Sequence, residues 1–322
     1  MRFKLVFLPP QTDVYRAWAK RLRADVPEAD IVVAETETDA DAAIADADGA
    51  VGAIGRERLA RASKLRWLQS HHAAPPTGYY YPELAAHPLV VTNMREIFND
   101  HIGAHVMAFV LAFARGLHYY LPQQLRREWD RRPTDTGVVH LPEAAMLIVG
   151  LGGIGAEVAR LAKAFGMTVL ATDARRTSKP DHVDELHAAD ALDVLLPRAD
   201  FVVLTVPHTS ETEGFMHRAR FRRMRPGAFF INIGRGMTTK LADLAEALAA
   251  NEIAGAALDV FEVEPLPPDH PLWVMPNVIM TPHMAGYGPY LDDRRYEIVR
   301  DNCRAMIAVT LLRNVVDKTA WF

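Results

Sequence analysis

Three short stretches of the 322-residue sequence carry side chains able to do chemistry together: "NIGRGM" with Arg235, "LDVFEVEPL" with Asp259 and Glu264, and "TPHMAG" with His283. Each lies on or just after a short apolar run, which puts its polar residue at the C-terminal end of a strand, where open α/β sheets bind ligands. A guanidinium there can fork onto a carboxylate and polarise an adjacent keto oxygen. An imidazolium can give that oxygen a proton while hydride arrives at the carbon. A carboxylate paired with the histidine favours its protonated form and fixes the ring. Taken singly, Arg235 or Glu264 reads as a surface ion pair and His283 as a core histidine bonded to backbone. Together they are what reduction of a 2-keto acid needs, provided a hydride carrier sits beside them.

The sequence contains a site for one. "GLGGIG" places Gly150, Gly152 and Gly155 in GxGxxG spacing, after the strand-like "AMLIV" and before a helical stretch. The first glycine permits a tight turn, the second a close approach of backbone to a pyrophosphate, and the third close packing of helix on strand. The helix N-terminus then offers unpaired N–H groups to the anion. Asp173, 18 positions after Gly155, ends "MTVLATD", where a carboxylate can accept the ribose hydroxyls and repel a 2′-phosphate. NAD(H) is therefore expected over NADP(H), although Arg175 and Arg176 offer charge to such a phosphate.

These residues need elements to hold them. From residue 145, six apolar runs ("AMLIVGLG", "MTVLATD", "ADFVVLTVP", "GAFFINIG", "AGAALDVF", "NVIMTPH") alternate with helical stretches such as "GAEVARLAKAFG" and "KLADLAEALAANE". Continuous apolar runs signal strands buried on both faces, hence a parallel sheet covered by helices on each side. The first hundred residues repeat the alternation more weakly in "FKLVFLP", "DIVVAE", "GAVGAIG", "RWLQSHH" and "LVVTN". The expected class is α/β: a doubly wound parallel-sheet (Rossmann) cofactor domain, 100–286, inserted in a smaller flavodoxin-like α/β substrate domain, 1–99 with a C-terminal return over 287–322.

The chain resembles the D-isomer-specific 2-hydroxyacid dehydrogenase family through "GLGGIG", "NIGRG", "GAALDVFEVEP" and "TPHMAG", in family order and nearly family spacing, and through the closing "LRNVVDK". The resemblance implies that Arg235 binds the substrate carboxylate, that Glu264 is the partner of His283, and that His283 is the acid/base. It implies that Asp259 meets the nicotinamide carboxamide and that Gly153 and Ile154 meet the pyrophosphate. Pro207 and Ile233, at the ends of two further strand runs, complete the expected cofactor contacts. Related formate dehydrogenases carry glutamine where this chain has Glu264, which favours a 2-hydroxy acid over formate. The resemblance also makes the apolar stretch beginning at His101 the helix that opens the cofactor domain at a homodimer interface. "HYYLPQQLRREW" is then an arm whose Tyr119, Tyr120 and Trp129 pack between subunits.

The loop "HHAAPPTGYYYPEL", residues 71–84, departs from the family, whose members present backbone N–H groups there to the substrate carboxylate. Pro75 and Pro76 have no N–H to give, leaving His72, Ala73, Ala74, Thr77 or Gly78 as donors. The expected substrate contacts are His72, Ala73, Ala74, Tyr80 and Arg235, with the tyrosines at 79–81 as an aromatic cap; the alternative is that they pack on their own domain.

Composition narrows the remaining classes. Acidic side chains number 40 against 36 basic, with no long run of one sign, so neither nucleic acid nor an acidic membrane is implied as a partner. One cysteine, Cys303, suits a reducing compartment and a cytoplasmic protein. The N-terminus reads as a strand and no stretch reads as a membrane span. His101 and His105 share helical i, i+4 spacing, but no third ligand follows, so no metal is expected. The competing reading from another class is a non-catalytic NAD(H)-sensing binding protein on the same fold, against which the intact Arg235, Glu264 and His283 argue.

Overall fold

The computed structural model describes residues 2–73, 78–131 and 137–319. The chain divides into two compact units, Met1–Ile97 with Gly288–Phe322, and Phe98–Tyr287.

The first unit is built on five parallel strands: β1 (Phe3–Phe7), β2 (Ala29–Val33), β3 (Gly49–Val51), β4 (Trp67–Gln69) and β5 (Val90–Thr92). They lie in the order β2-β1-β3-β4-β5, the flavodoxin-like arrangement. Val6, Ala50, Leu68 and Val91, one from each of four strands, pack with Ile44, Leu59 and Leu84 from the covering helices. The long helix Leu291–Ala308 belongs to this unit and is tied to the sheet by a buried polar chain. Trp67 Nε1 donates to Thr92 Oγ1 at 2.8 Å, Thr92 Oγ1 to Gln69 Oε1 at 2.7 Å, and Asn302 Nδ2 to the same Gln69 oxygen at 3.1 Å. Trp67, Thr92, Gln69 and Asn302 thus satisfy one another, which is the condition for keeping these polar groups in a core.

The second unit has seven parallel strands: β6 (Ala145–Val149), β7 (Thr168–Asp173), β8 (Glu185–Ala188), β9 (Phe201–Leu204), β10 (Phe229–Asn232), β11 (Gly255–Leu258) and β12 (Val278–Met280). Their order is β12-β11-β10-β9-β6-β7-β8, a doubly wound sheet whose winding reverses between β6 and β9. Alternate residues serve opposite cores: Met146, Ile148, Phe201 and Val203 on one face, Leu147, Val149, Val202 and Leu204 on the other. That two-sided burial explains the continuous apolar runs.

β8 is the strand the apolar pattern missed. Its residues Glu185, Leu186 and His187 are half-buried and it pairs only with β7, so an edge position lets it be polar. The helix Asn99–Ala114, apolar almost all round, buries Val106, Met107, Phe109, Val110 and Phe113 in the first of these cores. Phe113 stacks on Phe229 with ring centroids 4.4 Å apart.

Candidate active site

The phosphate loop leaves β6 at Gly150, whose φ of +97° favours glycine. A Cβ at Gly155 would lie 2.1 Å from the Gly150 carbonyl oxygen, so only glycine lets the helix Gly153–Ala164 come this close to the strand. A Cβ at Gly152 would meet nothing within 4 Å, and Gly152 caps the helix with no side-chain bond to its first N–H groups. An open face with unsatisfied backbone donors fits a dinucleotide pyrophosphate. Gly153 is exposed at the first helical turn and Ile154 is half-buried against the core.

Asp173 is the last residue of β7 and braces the phosphate loop. Its Oδ2 accepts the Leu151 N–H at 2.7 Å, and its Oδ1 accepts the Arg175 and Arg176 N–H groups at 2.8 Å each. Partial burial pushes its pKa up, but these three bonds and the Arg176 charge outweigh it and hold the carboxyl below its ordinary value. Arg176 is itself anchored, donating to the Leu151 carbonyl at 3.0 Å. Pro207 is exposed beyond β9, whereas Ile233 is buried in the core just after β10.

The loop after β10 carries Arg235. Asn232 fixes its path: Oδ1 accepts the Gly234 N–H at 3.0 Å and Nδ2 donates to the Arg235 carbonyl at 3.2 Å. A Cβ at Gly236 would sit 1.8 Å from the Phe261 carbonyl oxygen, so this loop and the one carrying Glu264 are in direct backbone contact. The guanidinium donates to the Gly234 carbonyl at 2.7 Å. Burial lowers its pKa and the charge of Glu264 partly offsets that.

Glu264 and His283 meet. The His283 Nδ1 lies 2.7 Å from Glu264 Oε2, and Glu264 Oε1 accepts the Phe261 N–H at 2.9 Å. With Nδ1 turned to the carboxylate, Nε2 is the nitrogen left for a substrate. His283 adopts φ +51°, a left-handed conformation that costs a β-carbon residue about 1 kcal/mol. Asp259 holds it there: the Asp259 carbonyl accepts the His283 N–H at 2.8 Å, Oδ1 accepts the Met284 N–H at 2.8 Å, and Oδ2 accepts the Ala285 N–H at 2.9 Å. Asp259 is 2% exposed, and its role as the loop's anchor was not visible in sequence. Thr281 adds a bond from its hydroxyl to Asp259 Oδ1 at 2.6 Å.

In the first unit, the expected substrate contacts divide. His72 and Ala73 follow β4 half-buried; the His72 carbonyl accepts the Met94 N–H at 3.1 Å, and the Ala73 carbonyl accepts Asn93 Nδ2 at 3.0 Å. Ala74, with Pro75, Pro76 and Thr77, lies outside the described residues. The tyrosines belong to the unit's own core, which corrects the cap. Tyr80 is buried at 8% exposure, while Tyr79 and Tyr81 pack beside it and donate their hydroxyls to the Gly52 and Ile54 carbonyls at 3.0 Å each. The rings join the apolar cluster that includes Ile54, Leu59, Leu84 and Leu89, where burial of an aromatic ring is favourable. Burial, with Tyr79 adding to it, raises the pKa of Tyr80.

A Rossmann sheet with an open phosphate loop and a histidine–carboxylate pair beyond its strand ends defines a nucleotide-dependent enzyme. A profile of the family described as "D-isomer specific 2-hydroxyacid dehydrogenase, NAD binding domain" matches residues 107–285. Glyoxylate/hydroxypyruvate reductase B of Pectobacterium carotovorum is 31% identical over 96% of this chain and 98% of that protein. Among solved structures, a D-isomer specific 2-hydroxyacid dehydrogenase family protein from Aeromonas salmonicida is 31% identical with TM-score 0.80, covering 99% of this chain and 100% of its own. A D-isomer specific 2-hydroxyacid dehydrogenase from Xanthobacter autotrophicus, solved with NADPH and MES, is 27% identical with TM-score 0.84 over all of both chains. The chain belongs to the D-isomer-specific 2-hydroxyacid dehydrogenase family, and is an oxidoreductase with an NAD(P)-binding domain.

Proposed function

We propose that the protein reduces a small 2-keto acid to the D-2-hydroxy acid, with glyoxylate and hydroxypyruvate the first candidates because relatives are named for them. The observation that carries this is the 2.7 Å pairing of His283 with Glu264 on a loop anchored by Asp259. Arg235 binds the substrate carboxylate and draws electron density from the keto oxygen. His283 Nε2 delivers a proton to that oxygen, and Glu264 holds the ring and the resulting charge distribution in place. When bound, the nicotinamide supplies the hydride. The backbone donors at Gly152, Gly153 and Ile154 hold its pyrophosphate, and Asp259 Oδ2, with one bond in place, has a lone pair to offer its carboxamide.

NAD(H) is the favoured cofactor because Asp173 stands at the ribose position, and Arg175 and Arg176 leave NADP(H) as the competitor. The protein pairs as a homodimer through the second unit. Leu117, Leu121 and Leu125 recur every fourth residue along the helix Leu117–Arg126 and all are exposed, followed by Trp129 at 99% exposure. Such a stripe wants a partner. Its single cysteine, Cys303, is buried and suits the reducing cytoplasm.

The test is oxidation of NADH and of NADPH by the purified protein against 2-keto acids from glyoxylate to phenylpyruvate. Turnover of the smaller acids, faster with NADH, is the expected result. Cofactor binding without turnover of any acid would overturn the proposal.

A further inference from the structure

The helical pair His101 and His105 has no place in the chemistry above, yet His105 touches the catalytic loop. Its Nε2 lies 3.0 Å from Thr281 Oγ1, and the Thr281 hydroxyl lies 2.6 Å from Asp259 Oδ1. A carboxylate only accepts, so the Thr281 proton goes to Asp259, and the Thr281 oxygen is left to accept from His105. The chain therefore runs His105 Nε2–H to Thr281 O–H to Asp259, which in turn accepts the Met284 and Ala285 N–H groups beside His283.

Resting on the reductase reading, we propose that His105 is a positioning residue for His283, acting through Thr281 and Asp259 as an Nε2–H donor. Burial lowers the pKa of His105, the Asp259 charge opposing it, a shift toward the neutral ring. The ring is braced edge-on against Phe109, with centroids 4.5 Å apart. Its helix, Asn99–Ala114, also sets the phosphate loop: a Cβ at Gly103 would lie 2.9 Å from Glu157 Cγ, and one at Gly153 would lie 2.6 Å from Asn99 Nδ2. One rigid element thus fixes both the pyrophosphate cradle and the acid/base loop, and His105 is its link to the latter. Donors linked in series reinforce one another, so losing the first weakens the hold of the last on the carboxylate.

The variants His105→Phe and His105→Gln separate the donor from the ring's bulk. His105→Phe should lower kcat about tenfold, the worth of one such bond, with the keto acid KM within about twofold of wild type. His105→Gln, whose amide N–H can replace Nε2–H, should recover most of that loss. Wild-type kcat in His105→Phe, or no recovery in His105→Gln at equal thermal stability, would overturn the assignment. The ring nitrogen shifts of His105 in the labelled wild-type protein test the relay independently of activity: the Nε2–H tautomer supports it and the Nδ1–H tautomer contradicts it. If wild type reduces no keto acid while the Nε2–H tautomer is seen, the reductase reading fails and the relay stands.

Discussion

Tyr80 shows how a residue read in sequence for chemistry can be used by the fold for packing, and His71 of the same loop shows what partial burial does to a titrating ring. Burial, then the neighbouring His72 and Arg295, lowers the His71 pKa from 6.5 to about 4. A histidine whose folded pKa lies below its unfolded value contributes stability that is full above pH 6.5 and is lost as pH falls toward 4, where the folded state also protonates. His71→Gln should flatten that stretch of the stability curve, measured as Tm against pH; an unchanged slope would show that His71 does not titrate this way. Tyr80→Ala should destabilise the protein by about 3 kcal/mol, the usual loss for an aromatic core truncation, as read from denaturant unfolding. Spacing made the strand-end placement of the glycines, Arg235, Asp259, Glu264 and His283 legible, because a strand end followed by a polar residue is a local pattern. The tyrosines were not, because three adjacent rings in a polar loop look alike whether they turn inward or outward. The contacts of Thr281 and His105, 176 positions apart, leave no local trace at all.

At the scale of elements, loops at strand ends are held by glycines that admit no side chain. Gly155→Ala would press a methyl group into the Gly150 carbonyl, so it should abolish detectable cofactor binding in titration calorimetry while the first unit keeps its secondary structure. Asp173→Asn should shift the ratio of kcat/KM for NADH over NADPH toward NADPH by about tenfold or more, since it removes the charge that repels a 2′-phosphate. An unchanged ratio would mean that Asp173 serves only to brace Leu151, Arg175 and Arg176. Six of the seven strands of the larger sheet were legible as apolar runs because burial on both faces removes the polar alternation. The edge strand β8 was hidden for the opposite reason, since half-burial lets it carry Glu185 and His187, whose side chains meet at 2.9 Å.

Across the whole molecule, the α/β class followed from the alternation of apolar runs and helices, and both sheets are parallel with every strand order a doubly wound one. Among the described residues no single helix is long and apolar enough to cross a membrane. The apolar helix Asn99–Ala114 that raises the question lies largely in the core. The exposed stripe of the next helix is where the proposed dimer is tested: if the wild-type protein is a dimer by light scattering, Leu121→Glu with Leu125→Glu should make it a monomer, and a dimer in the variant would move the proposed interface elsewhere. The proposed proton transfer turns on His283. The most direct measurement is kcat on the best keto acid for wild type and His283→Ala, with the cofactor dissociation constant measured alongside. A fall in kcat of about a hundredfold or more with cofactor binding unchanged is the predicted result. Near-wild-type kcat in His283→Ala would contradict it, and the proton would have to come from another group.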